Sequence, residues 1–313
     1  MENPLVSVIC LCYNQARFVQ EALDSVMTQS YDSIELIIVD DASSDGSQNE
    51  IDNWLSKHTG ISFLPIKENL GSTVAFNQGL KLATGKYIID LAADDILLAD
   101  RIEKQVRFFE KQAKKVGVIY SNGTYISEVG EKLQTHFDKD RLMPYEGNIY
   151  ENVIDTYFIP TPTMMMRKDV LDELNGYDES LAYEDFDFWV RSSRNWNYAY
   201  QPEVLTLIRK SDQSYSTSWY KQGDAQLHST YLVCEKIRSI NKSESEQMAL
   251  IRRLQFELRQ SAFSGNHKEF DCFYHLYKRL KQPSGFYRLL NALNKMKLDL
   301  SFVRRVYHKF RFG

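Results

Sequence analysis

The stretch Val6-Ser7-Val8-Ile9-Cys10-Leu11-Cys12-Tyr13-Asn14 decides the fold, together with its counterpart Ile34-Glu35-Leu36-Ile37-Ile38-Val39-Asp40-Asp41. Each is a short, almost unbroken apolar run that stops at polar residues. Such runs suit strands covered on both faces, as in a parallel sheet. Between them, Ala16 to Met27 carries Phe18, Val19, Ala22, Leu23 and Val26 at helical spacing. Outward from this unit the rhythm continues. A helix with Ile51, Trp54 and Leu55 on its apolar side follows Asp45-Gly46. Strands read at Ile61–Ile66 and Tyr87–Leu91, and a helix at Gly71–Ala83 lies between them. Strand, helix, strand, helix predicts an α/β domain with a mostly parallel central sheet and right-handed crossovers. Ligands of such sheets gather at the carboxyl ends of the strands.

Further along, a helix reads at Ala99–Lys114, a strand at Val116–Tyr120, and a polar hairpin and loop at Thr124–Gly147. An organised block runs from Thr161 to Ile208. Beyond the Ser- and Thr-containing stretch Ser211–Ser218 the pattern turns helical: Tyr220–Ile240, Glu244–Ser264, Lys268–Leu280 and Gly285–Met296. The expected organisation is a catalytic domain over residues 1–215 and a helical region with a basic tail over 216–313.

Composition is that of a globular protein, 43% hydrophobic and 26% charged. No apolar run has the length to span a bilayer and no secretory signal is evident, so the expectation is a cytoplasmic protein. Four scattered cysteines read as buried thiols rather than a disulfide framework. Net charge is −4, but residues 278–313 hold ten Lys and Arg against the single acid Asp299, leaving −13 on the rest. An acidic body argues against nucleic-acid binding. The tail, with Phe302, Tyr307, Phe310 and Phe312 among Arg304, Arg305, Lys309 and Arg311, fits peripheral contact with an anionic membrane face, a basic solvated helix or a homodimer contact.

Polar clusters stand where strands finish. Adjacent carboxylates repel unless a cation or several donors compensate them, and Mg2+ or Mn2+ favours carboxylate oxygens combined with substrate phosphates. Asp94-Asp95 therefore reads either as a metal anchor or as a cap for the segment after it. Asp40-Asp41, ahead of Ser43-Ser44-Asp45-Gly46, reads as base recognition or as turn chemistry. Tyr13 reads as a stacking platform or a packing aromatic. Glu184-Asp185 reads as a general base or as acids in a first helical turn.

Taken together, Val6–Asn14, Ile38–Gly46, Asn69-Leu70-Gly71, Asn77-Gln78-Gly79, Gly85-Lys86-Tyr87-Ile88, Ala93-Asp94-Asp95 and Glu184-Asp185 resemble glycosyltransferase family 2, in the family's order, over about residues 4–210. The resemblance implies a GT-A (Rossmann-like) fold, a nucleotide-diphosphate sugar donor, usually a UDP-sugar, and inversion at the anomeric carbon. It implies a nucleotide-sugar site of Tyr13, Asn14, Asp40, Asp41, Asn77 and Asp94. Asp95 and Asp94 would hold Mn2+ or Mg2+, Asp185 would be the general base, and Glu184 would orient it or the acceptor. The acceptor would be a saccharide or lipid-linked saccharide of a cell-surface glycan. Three positions depart from the pattern: Ala92 where many members have Asp, Phe76 where many have Arg, and Ser211, beside Lys210, where many have a metal-binding His. Asp212 or water could fill that place. The competing readings are a non-catalytic nucleotide-sugar-binding module and a nucleotidyltransferase. The latter would show a Gly-rich basic loop after the first strand, where this chain has Gln15-Ala16-Arg17.

Overall fold

The computed structural model describes residues 3–138, 143–210, 221–223 and 225–300. The chain divides into two compact units. One comprises residues 1–149, 158–180 and 191–211, the other residues 150–157, 181–190 and 212–313. The boundary expected between residues 215 and 216 falls outside the described residues.

The first unit is built on a sheet of nine strands among the described residues, β1 (Val6–Cys12), β2 (Ile34–Asp41), β3 (Ser62–Ile66), β4 (Tyr87–Ala92), β5 (Ile96–Leu97), β6 (Val116–Ile126), β7 (Lys132–Thr135), β8 (Met165–Arg167) and β9 (Asn197–Arg209). Their order is β3-β2-β1-β4-β8-β6-β9-β5, with β7 beside β6. The first four strands are parallel throughout. The other half is mixed: β8 runs antiparallel to β4 and β6, whereas β9 runs parallel to β6.

The apolar runs explain the parallel half. Val6, Val8, Cys10 and Cys12 face Val19, Leu23 and Val26 of α1 (Val19–Met27) and Trp54 of α2 (Ser47–Leu55) in one core. The alternate residues Ile9, Ile37 and Val39 are buried as well. There α3 (Ser72–Leu82) comes so close that a Cβ on Gly79 would stand 2.6 Å from Cγ2 of Ile9. Glycine at that position is what lets the helix lie against the sheet. On the same unit α4 (Arg101–Phe109) and α6 (Lys168–Leu174) complete the layers.

Helix α1 begins at Val19, three residues later than its apolar spacing suggests. The backbone N–H groups of Gln15 and Ala16 donate to Ser47 Oγ and Asp45 Oδ2 at 2.8 and 3.0 Å, holding that segment as a turn. Strand β6 runs six residues past its expected end at Tyr120, because Ser121, Asn122 and Thr124 are buried. Asn122 is satisfied there by the backbone of Gly123 and Phe137.

The second unit gathers α5 (Tyr150–Asp155) and the start of α7 (Asp185–Ser193) with α8 (Ala225–Ile240), α9 (Glu244–Phe263), α10 (His267–Leu280) and α11 (Gly285–Lys295). Leu250, Leu254 and Leu258 of α9 and Phe270, Phe273 and Tyr277 of α10 are buried in it. Ser243 caps α9, accepting from the Glu246 N–H.

Candidate active site

Register places the polar clusters side by side. Cys12 lies opposite Asp40, and Leu11 opposite Ala92. The residues after β1, β2 and β4 therefore emerge together at the carboxyl edge of the parallel strands.

The loops after β1 and β2 are stitched to each other. Asn14 takes a left-handed conformation at φ 55°. Its backbone N–H donates to Ser43 Oγ at 2.9 Å, and its Oδ1 accepts from the Ser44 N–H at 2.8 Å. Asp45 accepts from Ser47 and Ala16; burial pushes its carboxyl up, but these donors outweigh that and hold it below the usual carboxylate range. Tyr13 stands on this stitched base with 46% of its surface exposed.

Asp40 and Asp41 are both buried. Asp40 Oδ2 accepts from the Ser43 N–H at 3.0 Å and Gln48 Nε2 at 2.6 Å, while Oδ1 has no hydrogen-bond partner among the described residues. Asp41 accepts the N–H groups of Leu70 and Gly71 on its two oxygens, both at 2.8 Å, ordering the loop that leads into α3.

Asp94 and Asp95 follow β4, and β5 fixes what they meet. Ile96 pairs with Leu207 of β9, which brings Arg209 level with the carboxylate pair. The Arg209 N–H donates to Asp95 Oδ1 at 2.8 Å, and its Nε donates to the Asp94 carbonyl at 2.9 Å. Its remaining donors reach the carbonyls of Ser127 and Glu128 and, at 2.6 Å, Glu21 Oε2 on α1. The guanidinium lies over the Phe18 ring, 4.5 Å from its centroid. Burial and then the neighbouring Asp94 carboxylate push Asp95 well above the usual carboxylate range; the Arg209 N–H and the charges of Arg101 and Arg209 oppose this without cancelling it. Burial likewise raises Asp94, against its own backbone N–H and Arg209.

Asn77 is turned toward residues 177–179. Its Nδ2 donates to the Tyr177 carbonyl and Glu179 Oε1, and its Oδ1 accepts the Tyr177 N–H. Phe76 is buried and stacks on Tyr177, ring centroids 4.3 Å apart. In this chain the pair Phe76-Asn77 grips one segment.

Glu184 and Asp185 belong to the second unit, at the start of α7, where the Glu184 carbonyl accepts the Phe188 N–H. The surrounding residues are firmly held. Arg253 is buried over the Tyr157 ring at 4.0 Å, with Phe186 at 5.2 Å, and donates to the Ile154 carbonyl. Asp187 pairs with Lys236 at 2.6 Å. Burial and the carboxylates of Asp185 and Glu184 push the Tyr183 phenol well up.

Among the described residues no three His, Cys, Asp or Glu side chains form a group that could hold a metal ion. The Asp94–Asp95 pair is nonetheless a donor set suited to a hard cation. It offers carboxylate oxygens whose joint ionisation is costly here, and such ions complete their shell with phosphate and water. Ser211 and Asp212 lie outside the described residues. Lys210 is described, its Nζ 4.3 Å from the Tyr125 ring centroid.

Sequence reasoning missed Arg209 and Arg101. Arg101 is buried at the start of α4 and donates to the carbonyls of Pro162 and Met164 and to Thr206 Oγ1. Neither arginine stands out in the sequence, where Asp100, Glu103 and Lys104 surround Arg101 and Lys210 follows Arg209; only the fold supplies the acceptors that a buried cation needs.

The sequence model of glycosyl transferase family 2 matches residues 7–174, more than half of the chain. The chain belongs to that family. A putative teichuronic acid biosynthesis glycosyltransferase, TuaG of Bacillus subtilis, is 36% identical over 220 residues, 70% of this chain and 84% of that protein. Seven other curated relatives, all named uncharacterized glycosyltransferases, are matched over 30% to 67% of their length. Among solved structures, S. aureus TarS 1–349 in complex with UDP-GlcNAc superposes with a TM-score of 0.69 at 18% identity, covering 98% of this chain and 91% of that one. The mannosyltransferase PcManGT of Pyrobaculum calidifontis, in complex with GDP-Man and Mn2+, gives 0.59 at 17% identity, covering 99% and 89%. The fold is the GT-A fold of this glycosyltransferase family, with a helical C-terminal region.

Proposed function

We propose that this chain is an inverting glycosyltransferase. It moves a sugar from a nucleotide-diphosphate sugar, most simply a UDP-sugar, to a saccharide or lipid-linked saccharide acceptor in cell-surface glycan synthesis. The observation that carries the reading is the Asp94–Asp95 pair, Asp95 buried and Asp94 half-buried, both raised in pKa, at the carboxyl edge beside the stitched loops of β1 and β2. TuaG supports the glycan class, and the nucleotide sugars bound to TarS and PcManGT support the donor class.

In this reading Tyr13 offers its ring to the base, and Asn14, Asp40 and Asp41 shape the loops around it. Asn77 acts as a positioning residue through Tyr177. Asp95 and Asp94 hold Mn2+ or Mg2+, which when bound supplies charge neutralisation for the departing diphosphate. Asp185 takes the proton of the acceptor hydroxyl as its oxygen attacks the anomeric carbon and the bond to the diphosphate breaks on the opposite side. Glu184 orients that base or the acceptor. No described helix is long and apolar enough to cross a membrane.

The test is thermal stabilisation of the full chain by UDP, GDP, CMP and dTDP, each with Mn2+, Mg2+ or a chelator. Saturation at about 100 times the dissociation constant adds roughly 2.7 kcal/mol, a readable shift. UDP with Mn2+ is expected to stabilise and the chelator to abolish the effect; no shift with any nucleotide overturns the reading. Asp185→Asn is expected to keep the nucleotide shift and to lower transfer by about 10²–10⁴-fold. Nucleotide binding with no transfer to any acceptor by the parent chain would instead mark a non-catalytic binding module.

A further inference from the structure

Helix α11 has two apolar faces. Tyr287, Leu290 and Asn294 are buried against the second unit. Tyr287 accepts from Arg259 at 3.0 Å, and Asn294 is tied to His267 and Asp271 of α10. Turned away from these, Phe286, Leu289 and Met296 expose 50%, 56% and 67% of their surface. Ala292, also exposed, fills the gap between them. At 100° per residue they form one stripe about three turns long. Arg288 and Lys295, seven residues apart and both exposed, run along one edge of it, and exposed Lys297 follows at the end. Between Asp271 and Asp299 the sequence holds no acid.

We propose that this face of α11 is a docking surface for an anionic lipid bilayer. Charge selects the occupant. A second copy laid on the stripe would set Arg288, Lys295 and Lys297 against their own likenesses, and like charges repel. The chain's own residues 301–313 carry Arg304, Arg305, Lys309 and Arg311, the same sign again. A surface of acidic headgroups over hydrocarbon matches both features: Phe286, Leu289 and Met296 enter the acyl boundary, and the basic stems reach up to the phosphates. The contact expected of the tail thereby gains a folded element that carries it.

The measurement is flotation of the full chain with vesicles of phosphatidylcholine alone and of phosphatidylcholine mixed with phosphatidylglycerol. It needs no donor nucleotide, so it stands apart from the transfer reading. The chain is expected to float with the anionic vesicles and not with the neutral ones, and to be released by salt. Phe286→Ser with Leu289→Glu is expected to weaken binding by about tenfold or more, as loss of that apolar area requires. Met296→Glu, past the helix end, gives the same direction without touching the helix, and unchanged circular dichroism shows that each variant is folded. Arg288→Glu with Lys295→Glu is expected to weaken binding and flatten its salt dependence. Variants that float like the parent chain would overturn the proposal and leave binding to residues 301–313. Absence of flotation, or doubling of the mass in sedimentation with no vesicle binding, would overturn it as well.

Discussion

Two pairs of adjacent aspartates stand at the ends of β2 and β4, the strands that flank β1, and the structure treats them in opposite ways. After β2, Asp41 has both oxygens bonded to backbone N–H groups and Asp40 has one oxygen filled by Ser43 and Gln48. After β4, Asp95 accepts a single bond from the Arg209 N–H, and no other described residue donates to the Asp94 side chain. Asp40, Asp41 and Asp95 are all buried and Asp94 is half-buried, so the larger difference lies in the supply of donors. Backbone N–H groups stabilise a carboxylate without adding mobile charge, so the first pair is a fixture of the loops. The second pair is left with like charges that the protein only partly offsets through Arg209 and Arg101. A short sequence of two acids is therefore not one motif. What distinguishes the pair after β4 is incomplete compensation.

The sharpest way to break this contrast is to remove one member of each pair. Asp95→Ala is expected to lower transfer on the order of 10³-fold and to abolish the Mn2+-dependent nucleotide shift, since a metal supplies several kcal/mol of charge stabilisation. It removes the acceptor of the buried Arg209 N–H but also relieves a costly like charge, so its stability without nucleotide should fall less than that of an Asp41 variant. A variant that retained the metal-dependent shift would show that Asp95 is no ligand, and the two pairs would no longer differ in kind.

Asp41→Ala should behave in the reverse manner. It leaves the N–H groups of Leu70 and Gly71, both in part-buried bonds, without their acceptor. The expected cost is about 2–4 kcal/mol in urea unfolding of the ligand-free chain. Unfolding at the parent midpoint would show that water replaces the carboxylate and that the loop does not depend on it.

Much of this arrangement was legible in the sequence, and the missing part has a physical cause. Apolar runs mark β1, β2 and β4 because burial on both faces admits little else, and helical spacing marks α3 and α8 to α11, though not α5. The acids at the strand ends are visible because charged residues interrupt those runs. Arg209 is not visible in this way. Its partners Glu21 and Asp94 lie 188 and 115 residues away in sequence, and they meet only through the pairing of β5 with β9. Asn77 is similar: it looks like a ligand-binding amide beside the strand ends, yet its partner is Tyr177, 100 residues on. The polar half of β6 escaped for a different reason. Ser121 and Asn122 lie past the expected strand end and Thr124 opens the expected hairpin and loop, but the Thr163 side chain accepts the Ser121 N–H and the backbone of Phe137 satisfies Asn122.

The smallest effect is the most discriminating for the charge argument. Asp95→Asn keeps the shape and the acceptor for the Arg209 N–H but removes the ionisation. The folded pKa of Asp95 is raised above the value near 3.9 of an unfolded aspartate, so the folded state holds its proton more tightly than the unfolded state does. The parent chain must then lose stability, relative to the Asn variant, as pH rises from below the unfolded value through the raised folded one. Below the carboxylate range the two proteins should melt together. Above it, in chelator, the Asn variant should melt higher, by about 2–4 °C for each kcal/mol relieved. Adding Mn2+ should return the difference to the parent chain, because a cation does for two carboxylates what protonation does for one. A gap independent of pH would mean that Asp95 titrates as an ordinary carboxyl, and the pair after β4 would be compensated after all.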